Sequence, residues 1–328
     1  MIDLTGSNAL DRYRWRWPEG LPIAGIAAVY VLFPNYLVFA ASVIVMAMFA
    51  LSLDLIIGFA GILTLGHGVF FGLGAYASGL IALAGLREPV TNAVAGAAIA
   101  AAVAALIGPF ILTLRGLRLI MVTLGIASIA LEAANKASWL TGGHDGLQSL
   151  EYAPVLGRFE WTLDGTTAYI YVAVWLALVF VALRFVVVSP FGLALQGVRE
   201  NELRMQVMGA PVQTQLTLAF ALSAAVAGLA GALSAQTNAF VSLDVLSLDL
   251  SIYALAMLVL GGIGRLYGAL LGATLYMSVQ YFTQELNPSY WMFAIGALLI
   301  LVVRFGRGGL LGIFETLGRR VGRRGSVA

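Results

Sequence analysis

Residues 36–57 carry a single charged side chain, Asp54, and apolar runs of similar length recur as far as residue 305. A helix needs about 20 apolar residues to cross the hydrocarbon core, about twice what a barrel strand needs. In lipid the backbone finds no outside partner, so a spanning segment must satisfy its own peptide groups as a helix. The expected fold is an all-α integral membrane protein, a polytopic bundle. Composition agrees: 61% of residues are hydrophobic and 10% charged, where soluble domains are about half apolar and a quarter charged.

The runs divide into about ten membrane segments, near 20–34, 36–57, 62–84, 91–114, 117–139, 167–188, 214–236, 249–263, 269–286 and 290–305. Some are short or broken by glycine, which is tolerated where backbone is buried in protein or lines a cavity. With both termini in the cytoplasm, fifteen of the eighteen basic residues lie inside, and Arg87, Lys136 and Arg158 lie outside. Such a bias is the positive-inside rule, and the opposite orientation would invert it. Three regions follow: a cytoplasmic tail at 1–19, a transmembrane domain at 20–305 with an inner loop at 189–213, and a basic cytoplasmic tail at 306–328.

Several chemistries are excluded. The chain has no cysteine, so disulfides and thiolate-held metals are ruled out. A phosphate-binding loop needs a lysine inside a glycine-rich turn. The one lysine, Lys136, sits in EAANKASWL, so any ATP-driven work must come from a partner. A net charge of +2 gives no reason to expect nucleic acid. Two histidines without acidic neighbours at ligand spacing predict no metal site, and no residue set predicts a catalytic centre.

The least lipid-like stretch is SPFGLALQGVRENELRMQVMGAPVQTQ, 189–215. Ser189 before Pro190 reads as a helix N-cap with proline in the first turn. Asn201 can cap a second short helix, with Glu202 at its positive end, and Gly209 with Pro211 stops it. Arg199, Glu200 and Arg204 complete a polar knob. On charge alone an ordinary solvated loop is the simpler reading.

Three glycine clusters stand out. Gly58, Gly61, Gly66, Gly68 and Gly72 flank His67 in GFAGILTLGHGVFFG; Gly261, Gly262 and Gly264 interrupt LVLGGIGRLYG; and Thr141, Gly142, Gly143, Asp145 and Gly146 form TGGHDG beyond the fifth segment. The first two clusters predict tight helix packing or a broken segment exposing backbone to a solute. They echo one another faintly, too faintly to make a repeat. The third predicts a turn, with Asp145 capping it. His67 has three readings: a ligand, a proton carrier or a satisfied interface histidine. Asp54, Glu132 and Asp249 are costly in lipid and must face protein or water. Glu132 and Lys136, four apart, can pair.

Four of these blocks, in this order, resemble the branched-chain amino-acid ABC permeases of the LivM type. The Gly-x-x-Gly…Leu-Gly-His-Gly run, the Thr-Gly-Gly-x-x-Gly turn, the Ser-Pro-Phe-Gly…Arg-Glu-Asn-Glu…Met-Gly loop and the Gly-Gly-x-Gly break carry the likeness over about 36–305. Leu193 and Gln196 stand where relatives often carry arginine. The resemblance reverses the bland reading of the loop. It implies that Ser189, Pro190, Arg199, Glu200, Asn201, Glu202, Arg204 and Gly209 meet an ATPase. It implies that the first and last glycine clusters, with His67, line the path or pack it, and that Thr141–Gly146 lies at the outer mouth where a binding protein docks.

The implied protein is not an enzyme but the multi-pass permease subunit of an importer in a bacterial inner membrane. It holds no cofactor of its own. Two ATP-binding subunits using ATP and magnesium, a second related permease (a heterodimer), a periplasmic substrate-binding protein and the bilayer are its partners. Permeases for urea, short amides or other amino acids share these features. An ion-coupled secondary transporter is the alternative from a different class; it should show paired intramembrane charges or an inverted repeat.

Overall fold

The computed structural model describes residues 32–162, 164–287 and 290–305, with isolated positions on either side. The expected tail at 1–19, most of the expected segment 20–34, and all but residues 309, 310 and 312 of the expected tail at 306–328 lie outside the described residues. Among those residues the chain is helical and forms no strand, only isolated bridges Leu147–Val241 and Val155–Phe159.

The helices are α1 (Leu37–Asp54), α2 (Gly68–Leu83), α3 (Pro89–Ile111), α4 (Leu117–Lys136), α5 (Thr166–Val188), α6 (Pro190–Glu200), α7 (Glu202–Val207), α8 (Val212–Asn238), α9 (Leu248–Gly261), α10 (Leu266–Leu286) and α11 (Trp291–Phe305). Five stretches are long and apolar enough to cross a membrane: those built on α1, α3, α4, α5 and α8. The bent pair α9–α10, with 114° between its halves, makes up to six, and α2 and the apolar part of α11 are shorter. The sequence predicts about ten segments; the described residues hold this smaller set of full-length helices. Part of the difference lies at the glycine clusters, where apolar sequence continues but the helix does not, and part at the expected segment 20–34, which is mostly outside the described residues. Residues 62–67 belong to the expected third segment, yet α2 begins only at Gly68.

The packing order follows from side-chain size. In α1 and α8 two-thirds of the most apolar stretch is buried, against 22% in α4. Helix α8 packs on α1, α2 and α3. Small residues let the backbones meet: a Cβ on Gly74 would lie 1.9 Å from the Gly228 carbonyl oxygen, and one on Gly231 1.8 Å from that of Phe71. Close approach of this kind holds helices together where lipid removes the hydrophobic drive between them. Around it lie Met48, Phe49, Leu51, Leu53 and Leu233, all fully buried.

Helix ends are set by local chemistry. Glu88 caps α3 by accepting from the Thr91 N–H at 2.7 Å, with Pro89 in the first turn. Ser247 caps α9 through the Leu250 N–H at 3.3 Å. Helix α1 passes from Asp54 into a widened turn, Leu55–Phe59, which hands over to a non-helical stretch before Gly68. Widened turns of this type recur at functional positions.

Candidate functional site

The loop between α5 and α8 folds as its residues predict. The Ser189 hydroxyl accepts from the Gly192 N–H at 3.4 Å, and Pro190 opens α6. The Asn201 side chain accepts from the Arg204 N–H at 2.9 Å, and Glu202 stands in the first turn of α7. Gly209, at φ +84°, ends the second helix. Helix α6 buries Leu195 and Val198 against the bundle. Helix α7 buries none of its residues; Leu203, Val207 and Met208 are exposed by 70%, 82% and 74%. Exposed apolar side chains grouped on a short helix flanked by polar residues can mark an interaction surface. These three side chains escape a sequence reading, because in an apolar chain they are unremarkable until the fold shows that nothing covers them.

Two side chains bind this knob to the bundle. Arg115, in the turn between α3 and α4, holds Glu202 in a two-point pair: Nε donates to Oε2 at 2.7 Å and Nη2 to Oε1 at 2.5 Å. Arg115 Nη1 also donates to the carbonyls of Leu112 and Leu114, fixing the guanidinium in place. These hydrogen bonds from Arg115, with its charge, hold the Glu202 carboxyl below its ordinary range despite partial burial. The second side chain is Arg199. Its Nη1 donates to the Gly58 carbonyl in the widened turn after α1. Its stem lies over Gly61, where a Cβ would meet Arg199 Cγ at 2.8 Å.

The first and last glycine clusters meet beneath Arg199. Asp54 Oδ1 accepts from the Gly264 N–H at 2.7 Å. A Cβ on Gly58 would lie 2.1 Å from Asp54 Oδ1 and 2.6 Å from the Gly264 nitrogen. Gly264 is at φ +79°, a region that side-chain-bearing residues avoid. Gly261 packs on the Gly268 carbonyl across the α9–α10 bend. The turn after α1 and the α9–α10 bend are thus one structural unit, 210 residues apart in sequence. A cleft of about 200 Å³ lies beside it, lined by Ala60, Gly61, Arg115, Arg199, Glu200 and Glu202.

Deeper in the bundle, the Gly68 N–H donates to Ser251 Oγ at 2.8 Å, joining the starts of α2 and α9. Gly72 packs on Leu246, and Gly66 sits against the Thr123 backbone of α4. His67 is fully buried among Phe49, Phe70 and Phe220. The Ser223 hydroxyl donates to the Ser52 carbonyl at 2.5 Å, so it accepts from His67 Nε2–H at 3.0 Å. His67 Nδ1 has no partner among the described residues. One ring nitrogen of His67 is thus satisfied at the interface of α1, α2 and α8 and, among the described residues, the other is not.

Thr141–Gly146 forms a tight turn. Thr141 Oγ1 donates to the Ala134 carbonyl at 2.5 Å, and Gly142, Gly143 and Gly146 all have positive φ. Paired backbone hydrogen bonds between Leu147 and Val241, 2.9 and 3.1 Å, fasten it to the segment before α9. Among the described residues it is the Asp145 backbone carbonyl, accepting from Gln148 Nε2 at 3.1 Å, and not its carboxyl that closes the turn. The intramembrane acids divide. Asp54 is fully buried in protein, Asp249 is exposed in the first turn of α9, and Glu132 pairs with Lys136 at 3.5 Å on an exposed face. Among the described residues no group of three His, Cys, Asp or Glu side chains can hold a metal ion.

The family model for the permease component of the branched-chain amino acid transport system matches residues 35–303. A protein of Escherichia coli strain K12, described as the high-affinity branched-chain amino acid transport system permease protein LivM, is 31% identical over 285 residues. Its counterpart of the same description in Salmonella typhimurium strain LT2 matches equally. Each match covers 80% of this chain and 66% of the relative, so the chain spans slightly less than two thirds of their length. No solved structure matches.

Proposed function

The chain belongs to the branched-chain amino acid transport system permease family, and from that premise we propose that it is the membrane-spanning subunit of an ABC importer moving branched-chain amino acids inward. Its transmembrane domain runs over 20–305, with residues 1–19 and 306–328 on the cytoplasmic side, in a bacterial inner membrane. The loop at 189–213 faces the cytoplasm and receives one of two ATPase subunits. A second, related permease completes the path, and a periplasmic binding protein delivers the solute near Thr141–Gly146. ATP and magnesium are used by the partners.

One observation carries this reading. The α6–α7 knob presents Leu203, Val207 and Met208 outward while Arg199 ties its inner side to the Gly58 backbone after α1 and Glu202 ties it to Arg115 between α3 and α4. A surface uncovered on one side and fastened on the other is suited to receiving a push and passing it inward. Closure of the ATPases then favours the arrangement of spans that binds them better, since a ligand shifts an equilibrium only by its differential affinity for the two states. The fifteen basic residues on the loop's side of the expected topology support the cytoplasmic placement.

The test is uptake of labelled leucine into vesicles carrying this chain with its genomic neighbours, with urea as a control solute. ATP-dependent leucine uptake that requires the binding protein is expected. Uptake driven by an ion gradient without ATP would make the protein a secondary transporter and return 189–213 to an ordinary solvated loop. ATP-dependent uptake of urea alone would keep the machine and change its solute.

A further inference from the structure

We propose that Arg199 and Asp54 form a two-position clasp that delivers movement of the α6–α7 knob to the turn after α1 and to the α9–α10 bend at once. The inference rests on the reading of that knob as the ATPase contact and adds the residues that transmit its motion.

Arg199 lies in the last turn of α6, on the surface of the loop, yet its guanidinium reaches the buried carbonyl of Gly58. The same guanidinium lies against Gly264, where a Cβ would stand 3.1 Å from Nη1. It therefore touches both non-helical breaks. Asp54, fully buried, lies directly below and holds the same two breaks together through the Gly264 N–H. The Arg199 charge acts on Asp54, and the backbone N–H groups of Gly264 and Arg265 face the carboxylate. Asp54 Oδ2 is buried without a hydrogen-bond partner among the described residues. No ion pair closes between the two side chains in this structure; Arg199 spends its Nη1 on the Gly58 carbonyl.

A guanidinium carries five donors, and a carboxylate can accept two of them side by side. A second arrangement is therefore available: Arg199 leaves the Gly58 carbonyl and pairs with Asp54 Oδ2. An element with two discrete pairings is the physical requirement for passing a shift from one place to another. In the present arrangement the knob holds the turn after α1. In the other it holds the carboxylate that carries the α9–α10 bend. Gly58 and Gly264 keep the contact free of side chains that would block the exchange. Arg199 and Asp54 are positioning residues; the solute need not touch either.

The test uses the cysteine-free chain. Leu63, 40% exposed on the non-helical stretch, becomes the reporter as Leu63→Cys. A membrane-impermeant maleimide reads its labelling rate in the assembled complex, with and without trapped ATP. The parent reporter is expected to change labelling several-fold on trapping. Asp54→Asn keeps an oxygen for the Gly264 N–H but cannot form the ion pair of the second arrangement. It should abolish the ATP-dependent change and leucine uptake while assembly and ATP hydrolysis persist. Arg199→Gln should do the same, whereas Arg199→Lys, which keeps the charge, should retain much of the change. If Asp54→Asn responds to ATP as the parent does, the clasp is wrong. Equal loss in Arg199→Lys and Arg199→Gln would reduce Arg199 to packing and also overturn it. A parent complex with no ATP response at all removes the importer reading, and the clasp with it.

Discussion

Gly58→Ala is the most economical perturbation of the contact between the two breaks. The added methyl would stand 2.1 Å from Asp54 Oδ1, 2.6 Å from the Gly264 nitrogen and 2.7 Å from its Cα. Two of those three atoms are backbone, so rotating a side chain does not relieve the clash. Relief requires parting the α9–α10 bend from the turn after α1. Overpacking of this kind costs about 1–3 kcal/mol. Parting also breaks the hydrogen bond between Asp54 and the Gly264 N–H, and a buried polar group left unpaired costs about 1–3 kcal/mol more. The two overlap, since one movement causes both, so a loss of about 2–5 kcal/mol is expected. The assay is reversible unfolding in mixed micelles, scored against Gly125→Ala. Gly125 lies within α4 with nothing within 4 Å of its would-be Cβ, and that substitution should stabilise by about 0.5–1 kcal/mol through helix propensity alone. A Gly58→Ala loss under about 1 kcal/mol would mean the breaks do not bear on one another as described.

Other consequences are separately measurable. Leu203→Asp or Val207→Asp, at positions exposed by 70% and 82%, should leave folding unchanged and abolish co-purification with the ATPase subunits; intact assembly in both would remove the docking face. A double-mutant cycle on Arg115→Ala and Glu202→Ala should give a coupling of about 1 kcal/mol or less, because both side chains are a third exposed. Arg115 holds Glu202 below its ordinary range, so this coupling is fully present above that range and is lost as pH falls through the lowered value. Constant coupling from neutral pH down to below the carboxylate range would contradict the pair. Ser223→Ala leaves the buried His67 Nε2–H without its acceptor and should destabilise by about 1–3 kcal/mol; unchanged unfolding would show that the hydroxyl is dispensable.

What the sequence disclosed and what it hid separate by the range of the interaction. The caps at Ser189 and Asn201 are local, each decided by a hydroxyl or amide three residues from the N–H it accepts, and both were legible. So was the Glu132–Lys136 pair, one helical turn apart. The glycine density of 58–72 left tight packing and a broken segment both open, and did not say where helix resumes. Gly66, Gly68 and Gly72 each pack on other segments, namely Thr123, Ser251 and Leu246, so the start of α2 at Gly68 is decided by partners 57 to 183 residues away. Arg115 and Glu202 were both visible as charges on one side of the membrane, and opposite sign alone gave no reason to join them before the turn after α3 was known to lie against α7.

Asp54 shows the same limit and its consequence. By composition it is an acid in an apolar run, which a sequence reading can only require to face protein or water. Its partner is a backbone N–H, and every residue but proline has one, so no side-chain pattern could have named Gly264. The faint echo between 56–68 and 258–268 had a physical source that periodicity could not express. Both stretches must give up helix where they meet, and each needs glycine because the other's backbone occupies the space of a side chain. A contact made from backbone against backbone leaves in the sequence only the absence of a Cβ. Its chemistry becomes visible through the two charged side chains, Arg199 and Asp54, that the fold brings to it.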